Sequence, residues 1–414
     1  MILGGISYVA VFASCSSSPS ANAPSDASTD AASMDDAGDE PPVEPPLDLP
    51  PWLTNAKPFV HAADDPFLDC RTVICRHNEN TDLTTWNGAI YLVHRTAISQ
   101  TLGPNSALHV YRSTDSGVTF VETARIDAPT DRDIRDPCFY QVGGELYVKA
   151  LTRLPVASSR DSNVDTVAVA MHSSDGVTWA PQVQIGPHGQ SFWRIREQAG
   201  VYYTASYQDG DKSVTLYTST DGVVWTSGAS IYIRSADTPL ETELMFIPGS
   251  GSVDAGASQG DRMLALVRMD GTDTELLGDE GRLRTKICWA SAPYATFDCS
   301  AEIDGQRLDG PVAFFWGTRL FVVARKHLQG MGKKRTSLFE LTGDFAHDTA
   351  LSIKEWGEVP SAGDTSYAGY APTDATHGVI TWYSGDRARD RPWVVALFDP
   401  TDIWQGTIDF SKLQ

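Results

Sequence analysis

Six short polar clusters in this 414-residue chain each open an apolar, β-type run. They are Glu79-Asn80-Thr81-Asp82, Arg132-Asp133-Ile134-Arg135-Asp136-Pro137, Trp193-Arg194-Ile195-Arg196-Glu197, Glu241-Thr242-Glu243, Asp309-Gly310-Pro311 and Asp364-Thr365-Ser366-Tyr367. Carboxylates, arginines and a tyrosine are groups that bind polar, oxygen-rich ligands and move protons to and from them. Any one cluster, taken alone, reads best as a salt bridge closing one structural unit on the next. Six of them at corresponding places read as a polar site assembled from six directions.

The elements that must position them recur along the chain. From about Trp52 the same unit repeats: a short apolar strand, a Gly turn, a strong β strand, then another hairpin. The central turns are Asn87-Gly88, Gly143-Gly144, Ala199-Gly200, Gln259-Gly260, Trp316-Gly317 and His377-Gly378. They precede strands expected at Ala89 to Val93, Glu145 to Lys149, Val201 to Ser206, Met263 to Val267, Leu320 to Ala324 and Val379 to Tyr383. Gly88, Gly144 and Gly200 are evenly spaced by about 56 residues, the length of a four-stranded blade. No long amphipathic helical period appears. The sequence therefore predicts an all-β fold, a six-bladed β-propeller over residues 52–414. In such a ring the innermost strand of each blade starts at the central funnel, where the clusters would meet.

Three related turns mark the second halves of the first three repeats. They are Ser113-Thr114-Asp115-Ser116-Gly117-Val118-Thr119-Phe120, Ser173-Ser174-Asp175-Gly176-Val177-Thr178-Trp179 and Ser219-Thr220-Asp221-Gly222-Val223-Val224-Trp225. Ser and Asp side chains bond nearby backbone amides there, and Gly tolerates positive φ.

The chain carries 32 Lys and Arg against 53 Asp and Glu, a net charge of −21. That balance argues against nucleic acid and against an anionic membrane surface as partners. Residues 1–15 are expected to be a lipoprotein-type signal peptide, because Phe12-Ala13-Ser14-Cys15 resembles a bacterial lipobox with Cys15 as the lipidated residue. No Lys or Arg precedes Lys57, so the usual basic start of such a signal is missing. Residues 16–51 are Ser, Ala, Pro, Asp and Glu with little that is bulky, and they read as a disordered tether. The expectation is an exported monomer, anchored as a lipoprotein at the outer membrane or cell surface, otherwise periplasmic or secreted. Cys288 and Cys299 flank a hairpin-like segment and are expected to pair in an oxidising compartment. Cys70–Cys75 is the next candidate, and Cys138 reads as a buried free thiol. No Cys/His spacing fits a zinc site, and no metal or organic cofactor is implied.

The Ser-x-Asp turns are similar to the Asp-boxes of sialidases, which are six-bladed propellers, and the resemblance runs from roughly Pro66 to Phe410. It implies a glycan partner and glycoside hydrolysis. It also implies arginines gathered on a substrate carboxylate, a nucleophilic Tyr activated by a Glu, and a separate Asp as acid and base. Glu243 and Arg268 resemble the family's Glu and second Arg, Arg335 its third Arg, and Tyr367 its nucleophile. Glu243, Arg268 and Tyr367 are then expected to meet near the funnel axis, with Arg335 close by. Arg135, Asp136, Arg196 and Asp82 would stand around the rim of the same cavity. The first blade has Asn80-Thr81-Asp82 where the family has Arg-Ile-Pro, and the loop after Val93 holds no Asp. Arg135-Asp136-Pro137 resembles the Arg-Asp-Pro of five-bladed furanosidases, in which Asp82, Asp136 and Glu197 or Glu243 would act as catalytic carboxylates. A non-catalytic glycan- or protein-binding propeller is the third possibility.

Overall fold

The computed structural model describes residues 46–414 except 102, 155–164, 209–212, 234–237, 248–260, 271–282 and 346–348. Gln259-Gly260 and Cys15 lie outside the described residues. Six four-stranded antiparallel sheets make a six-bladed β-propeller. Five blades run through 77–127, 133–184, 191–233, 238–304 and 309–358. In the sixth, β22 (Thr365–Pro372), β23 (His377–Ser384) and β24 (Asp402–Asp409) are completed on the outside by β1 (Leu53–Val60). The first strand of the chain thus pairs with the last and closes the ring.

The inner strands are β2 (His77–Trp86), β6 (Asp133–Val142), β10 (Ser191–Gln198), β14 (Thr238–Ile247), β18 (Asp309–Trp316) and β22. Their partners β3 (Ala89–Ala97), β7 (Glu145–Arg153), β11 (Val201–Tyr207), β15 (Arg262–Asp270), β19 (Arg319–Leu328) and β23 carry the apolar runs seen in the sequence. Those runs are apolar on both faces because each blade is covered by a blade on either side. Six separate cores result, one for each junction between neighbouring blades. The reading is corrected in two places: His377-Gly378 begin β23, with the turn just before them, and Trp316 ends its inner strand, with the turn at Gly317-Thr318.

The three Ser-x-Asp turns join the third and fourth strands of the first three blades. In each, the Ser hydroxyl accepts from the Gly amide, at 2.9 Å for Gly117 and 2.8 Å for Gly176 and Gly222. The Asp carboxylate accepts from the amides that follow. Each Gly is pressed on the preceding blade around the ring: Gly117 on Val379, Gly176 on Tyr91 and Gly222 on Tyr140 and Val142. These turns fasten blade to blade and stay clear of the funnel.

Disulfides join Cys70 to Cys75 and Cys288 to Cys299, while Cys138 is free and buried on β6.

Candidate active site

Every inner strand is interrupted at the same place. Two residues on the inner strand oppose one on its partner between Glu79 and Asp82, Arg135 and Cys138, Phe192 and Ile195, Pro239 and Thr242, Asp309 and Val312, and Ser366 and Gly369. Each is a β-bulge, which re-aims side chains that regular pleating would turn sideways into the cores. Asn80, Asp136, Gly310 and Tyr367 take positive φ at four of these bulges, 53°, 51°, 55° and 46°. That conformation is unfavourable for a bulky residue such as Tyr367, and strain of this kind concentrates at functional sites.

The bulges surround an open cavity of about 210 Å³ at one mouth of the funnel. Tyr367, Glu241, Arg268, Asp136, Arg135 and Arg325 are among its walls. Tyr367 Oη donates to Glu241 Oε1 at 2.5 Å. Arg268 Nη1 lies 2.5 Å from Glu241 Oε2 and 3.1 Å from Tyr367 Oη. Tyr367 is held from three further sides: its ring centroid is 5.8 Å from that of Trp193 and 6.1 Å from that of Tyr383, and Arg325 Cζ is 5.0 Å from it. Burial, helped by Asp309, raises the Glu241 pKa above the usual carboxylate range despite Arg268. Burial and the Glu241 carboxylate hold the Tyr367 phenol well above its usual value, against Arg268 and Arg325. The pair shares one proton, and raising Glu241 makes it a better acceptor for it.

Glu243 was the expected partner of Tyr367, and the structure puts Glu241 there instead. Glu243 lies two residues farther down the same strand, beyond the bulge, and reaches the floor of the funnel. It pairs there with Arg196, and Arg194 Nε is 3.7 Å away. Arg194 also pairs with Asp82, which accepts from the Phe139 amide at 2.7 Å. Arg194 and Arg196 donate to the carbonyls of Ala368 and Ala313, at 2.6 and 3.2 Å. Asp82, Arg194, Arg196 and Glu243 thus tie blades together below the cavity. For Asp82 and Arg196 the structure corrects the expected place on the rim, since both line the opposite mouth.

Arg335 is also corrected. It lies on β20 (Lys333–Asp344), and its two terminal nitrogens bond Asp390 at 2.8 Å each. Arg325 on β19 occupies the cavity wall in its stead, bonding the Thr365 carbonyl at 2.7 Å, Tyr383 Oη at 2.7 Å and Asp364 at 3.0 Å. A signal for it was present. Val322-Val323-Ala324-Arg325 repeats the pattern of Ala265-Leu266-Val267-Arg268 and of Leu92-Val93-His94-Arg95: an apolar second strand ending in Arg.

Arg135 and Asp136 stand on the wall as expected. Arg135 Nε donates to Asp133 at 2.7 Å and Nη2 to the Gln100 carbonyl at 2.7 Å. Asp136 accepts from Asn80. Its backbone carbonyl accepts from buried Lys149 Nζ at 2.9 Å, and that ammonium also bonds the Phe192 carbonyl at 2.8 Å. Lys149 so links the second bulge to the third. Arg268 is almost fully engaged by the protein, since Asp270 takes its Nε at 2.6 Å and its Nη2 at 3.1 Å. Among the described residues no group of three or more His, Cys, Asp or Glu is placed to hold a metal ion.

No family model matches the sequence, and no curated protein matches it. The fold is similar to that of the NanB sialidase of Streptococcus pneumoniae, with a TM-score of 0.60 and 10% identity over 86% of this chain and 71% of that one. It is similar to Trypanosoma rangeli sialidase, with a TM-score of 0.55 and 13% identity over 83% of this chain and 56% of that one. A third similar structure is an alanine variant of an α-L-arabinofuranosidase from Fusarium graminearum, bound to an iminosugar inhibitor. Its TM-score is 0.58, with 13% identity over 86% of this chain and 99% of that one. At these identities the likeness is one of fold.

Proposed function

We propose that the chain is a glycoside hydrolase in which Tyr367 Oη attacks the anomeric carbon and passes its proton to Glu241. The observation that carries this reading is the 2.5 Å bond between Tyr367 and Glu241 inside a cavity lined by arginines. A phenol is a weak nucleophile while it keeps its proton, and a carboxylate in hydrogen-bond contact removes that proton as the bond to carbon forms. A neutral or delocalised nucleophile also suits a sugar with an anionic group beside the anomeric carbon, where a carboxylate would be repelled. Arg325 and Arg135 face such a group, and Arg268 holds the Tyr–Glu pair in register. The similarity of fold to two sialidases is in keeping with this substrate class.

The test is turnover of chromogenic glycosides, with acidic 2-keto sugars, neutral pyranosides and pentofuranosides in one panel. Tyr367→Phe is expected to lose at least about 1000-fold in kcat/KM while still binding the product sugar. A fluorinated sugar of the cleaved type should leave its mass on the Tyr367 peptide. Full activity in Tyr367→Phe would end this reading.

A second reading rests on the engagement of Arg268 by Glu241 and Asp270. An arginine so occupied holds a substrate carboxylate poorly, which favours a neutral furanoside cleaved by Glu241 and Asp136 acting directly. Asp136→Asn separates the two: mild in the first and fatal in the second.

Export belongs to the same proposal. Two disulfides fit an oxidising compartment, and Cys15 would carry the lipid. Labelling with a fatty acid, lost in Cys15→Ser, checks it.

A further inference from the structure

Glu79 is the buried carboxyl that the Tyr367–Glu241 pair leaves unused. It stands on β2 immediately before the first bulge, its side chain is 2% exposed, and it lines the same cavity. Glu79 belongs to the first blade and Glu241 to the fourth, which face each other across a ring of six. Glu79 precedes the bulge of β2 and Glu241 stands within that of β14, and both line the cavity.

The two oxygens of Glu79 differ. Oε2 accepts from Arg95 Nη1 at 3.1 Å. Oε1 has no hydrogen-bond partner in the described structure. The nearest cationic candidate, His77 Nδ1, is 3.8 Å away, and burial lowers the His77 pKa to about 3, so that ring is neutral. A buried carboxylate oxygen left unpaired is costly, whereas protonation removes the charge and turns the carboxyl into a donor. The groups facing Glu79 are Arg95 on β3, Asp133 and Arg135 on β6, Asp364 ahead of β22, Tyr383 on β23 and His77 on its own strand. Burial outweighs Arg95 and, with Asp364, raises Glu79 to about 7. Asp136, the other carboxylate of this wall, is more exposed and already accepts from Asn80.

We propose that Glu79 is the general acid and base of the reaction, giving its proton to the departing glycosidic oxygen. This rests on the Tyr367 reading above. In the first step the Tyr367 Oη–carbon bond forms and the bond from the anomeric carbon to the leaving oxygen breaks. The phenol proton passes to Glu241 and the Glu79 proton to the leaving group. In the second step a water gives one proton to Glu79, and its oxygen bonds to the anomeric carbon. The bond to Tyr367 breaks, and Glu241 returns its proton to the phenolate. The sum is hydrolysis with both carboxyls restored.

The experiment compares two glycosides of the sugar that the wild type cleaves. One carries 2,4-dinitrophenol, which departs without a proton, and the other 4-methoxyphenol, which needs one. Glu79→Gln should lower kcat/KM for the methoxyphenyl substrate at least about 100-fold and for the dinitrophenyl substrate less than about 10-fold. The alkaline limb of the wild-type kcat/KM profile, near pH 7, should vanish with it. Added azide should speed turnover of the dinitrophenyl substrate, since azide needs no base. Glu79→Asp, which keeps an acid, should retain the wild-type order of leaving groups at reduced rate and serves if the Gln variant folds poorly. Equal losses on both substrates, or the leaving-group signature appearing in Asp136→Asn instead, would overturn the assignment. If Tyr367→Phe cleaves the dinitrophenyl substrate like the wild type, the parent reading falls and this one with it.

Discussion

The ring of Tyr367 stands over Gly310 so closely that a Cβ on Gly310 would lie 2.9 Å from Tyr367 Cγ. Two bulges in adjacent blades therefore fit together only because one of them carries no side chain. The strained backbone of Tyr367, at φ 46°, is held by what surrounds the ring: Gly310 beneath it, Trp193 and Tyr383 at its sides, and Glu241 and Arg268 at its hydroxyl.

Gly310→Ala tests that fit. The added methyl meets ring carbons with no flexible end to yield, and Gly310 itself has φ 55°. Destabilisation of about 1–3 kcal/mol is expected, with a fall in kcat larger than the change in KM. Thermal melts and steady-state kinetics on one preparation separate the two effects.

Glu241 and Glu243 should part company on substitution. Glu241→Gln leaves Tyr367 without a proton acceptor, and kcat should fall about 100-fold or more with little change in melting temperature. Glu243→Gln uncouples Arg194 and Arg196 at the floor and should cost about 3–5 kcal/mol, with kcat/KM nearly unchanged below the transition. A Glu243 variant that is stable but inactive would return that residue to the catalytic pair.

Arg335→Ala should do little. Its pairing with Asp390 is partly exposed, so denaturant titration should register about 0–1 kcal/mol. The KM for any acidic glycoside should stay at the wild-type value, whereas Arg325→Met should raise it.

Stability should fall as pH rises through the titration of Glu79. Its folded pKa, about 7, lies above the ordinary value of 4.5, so the folded state binds the extra proton between those limits. The contribution is complete below pH 4.5 and lost as pH passes about 7, with a slope of up to about 1.4 kcal/mol per pH unit. Urea titrations at several pH values should show this slope in the wild type and a flatter dependence in Glu79→Gln.

Reduction should be felt at Cys288–Cys299, whose separation of 11 residues encloses one hairpin. Loop-closure entropy puts its contribution at about 3 kcal/mol. Mass mapping after alkylation should find both cysteines protected until reduction, and Cys138 reactive only after unfolding.

The repeat was legible in the sequence because a blade is a local object. Its strands, Gly turns and Ser-x-Asp turns involve residues close together in the chain, and alternation and turn chemistry reveal them. Gly88, Gly144 and Gly200 alone set the step, and the Ser219–Asp221 bond could be read from spacing. The polar clusters were legible as a set for the same reason: each opens an inner strand. Which members face the cavity was decided elsewhere. One bulged residue in β14 sends Glu241 to Tyr367 and Glu243 to the floor, and nothing in Glu241-Thr242-Glu243 ranks one carboxylate over the other. Arg325 and Arg335 differ by strand, and the apolar run before Arg325 was the one local sign of it. The partners that settle their roles are up to 126 residues away, as Tyr367 is from Glu241. Only the packing of the blades around the ring brings those partners within a hydrogen bond of each other.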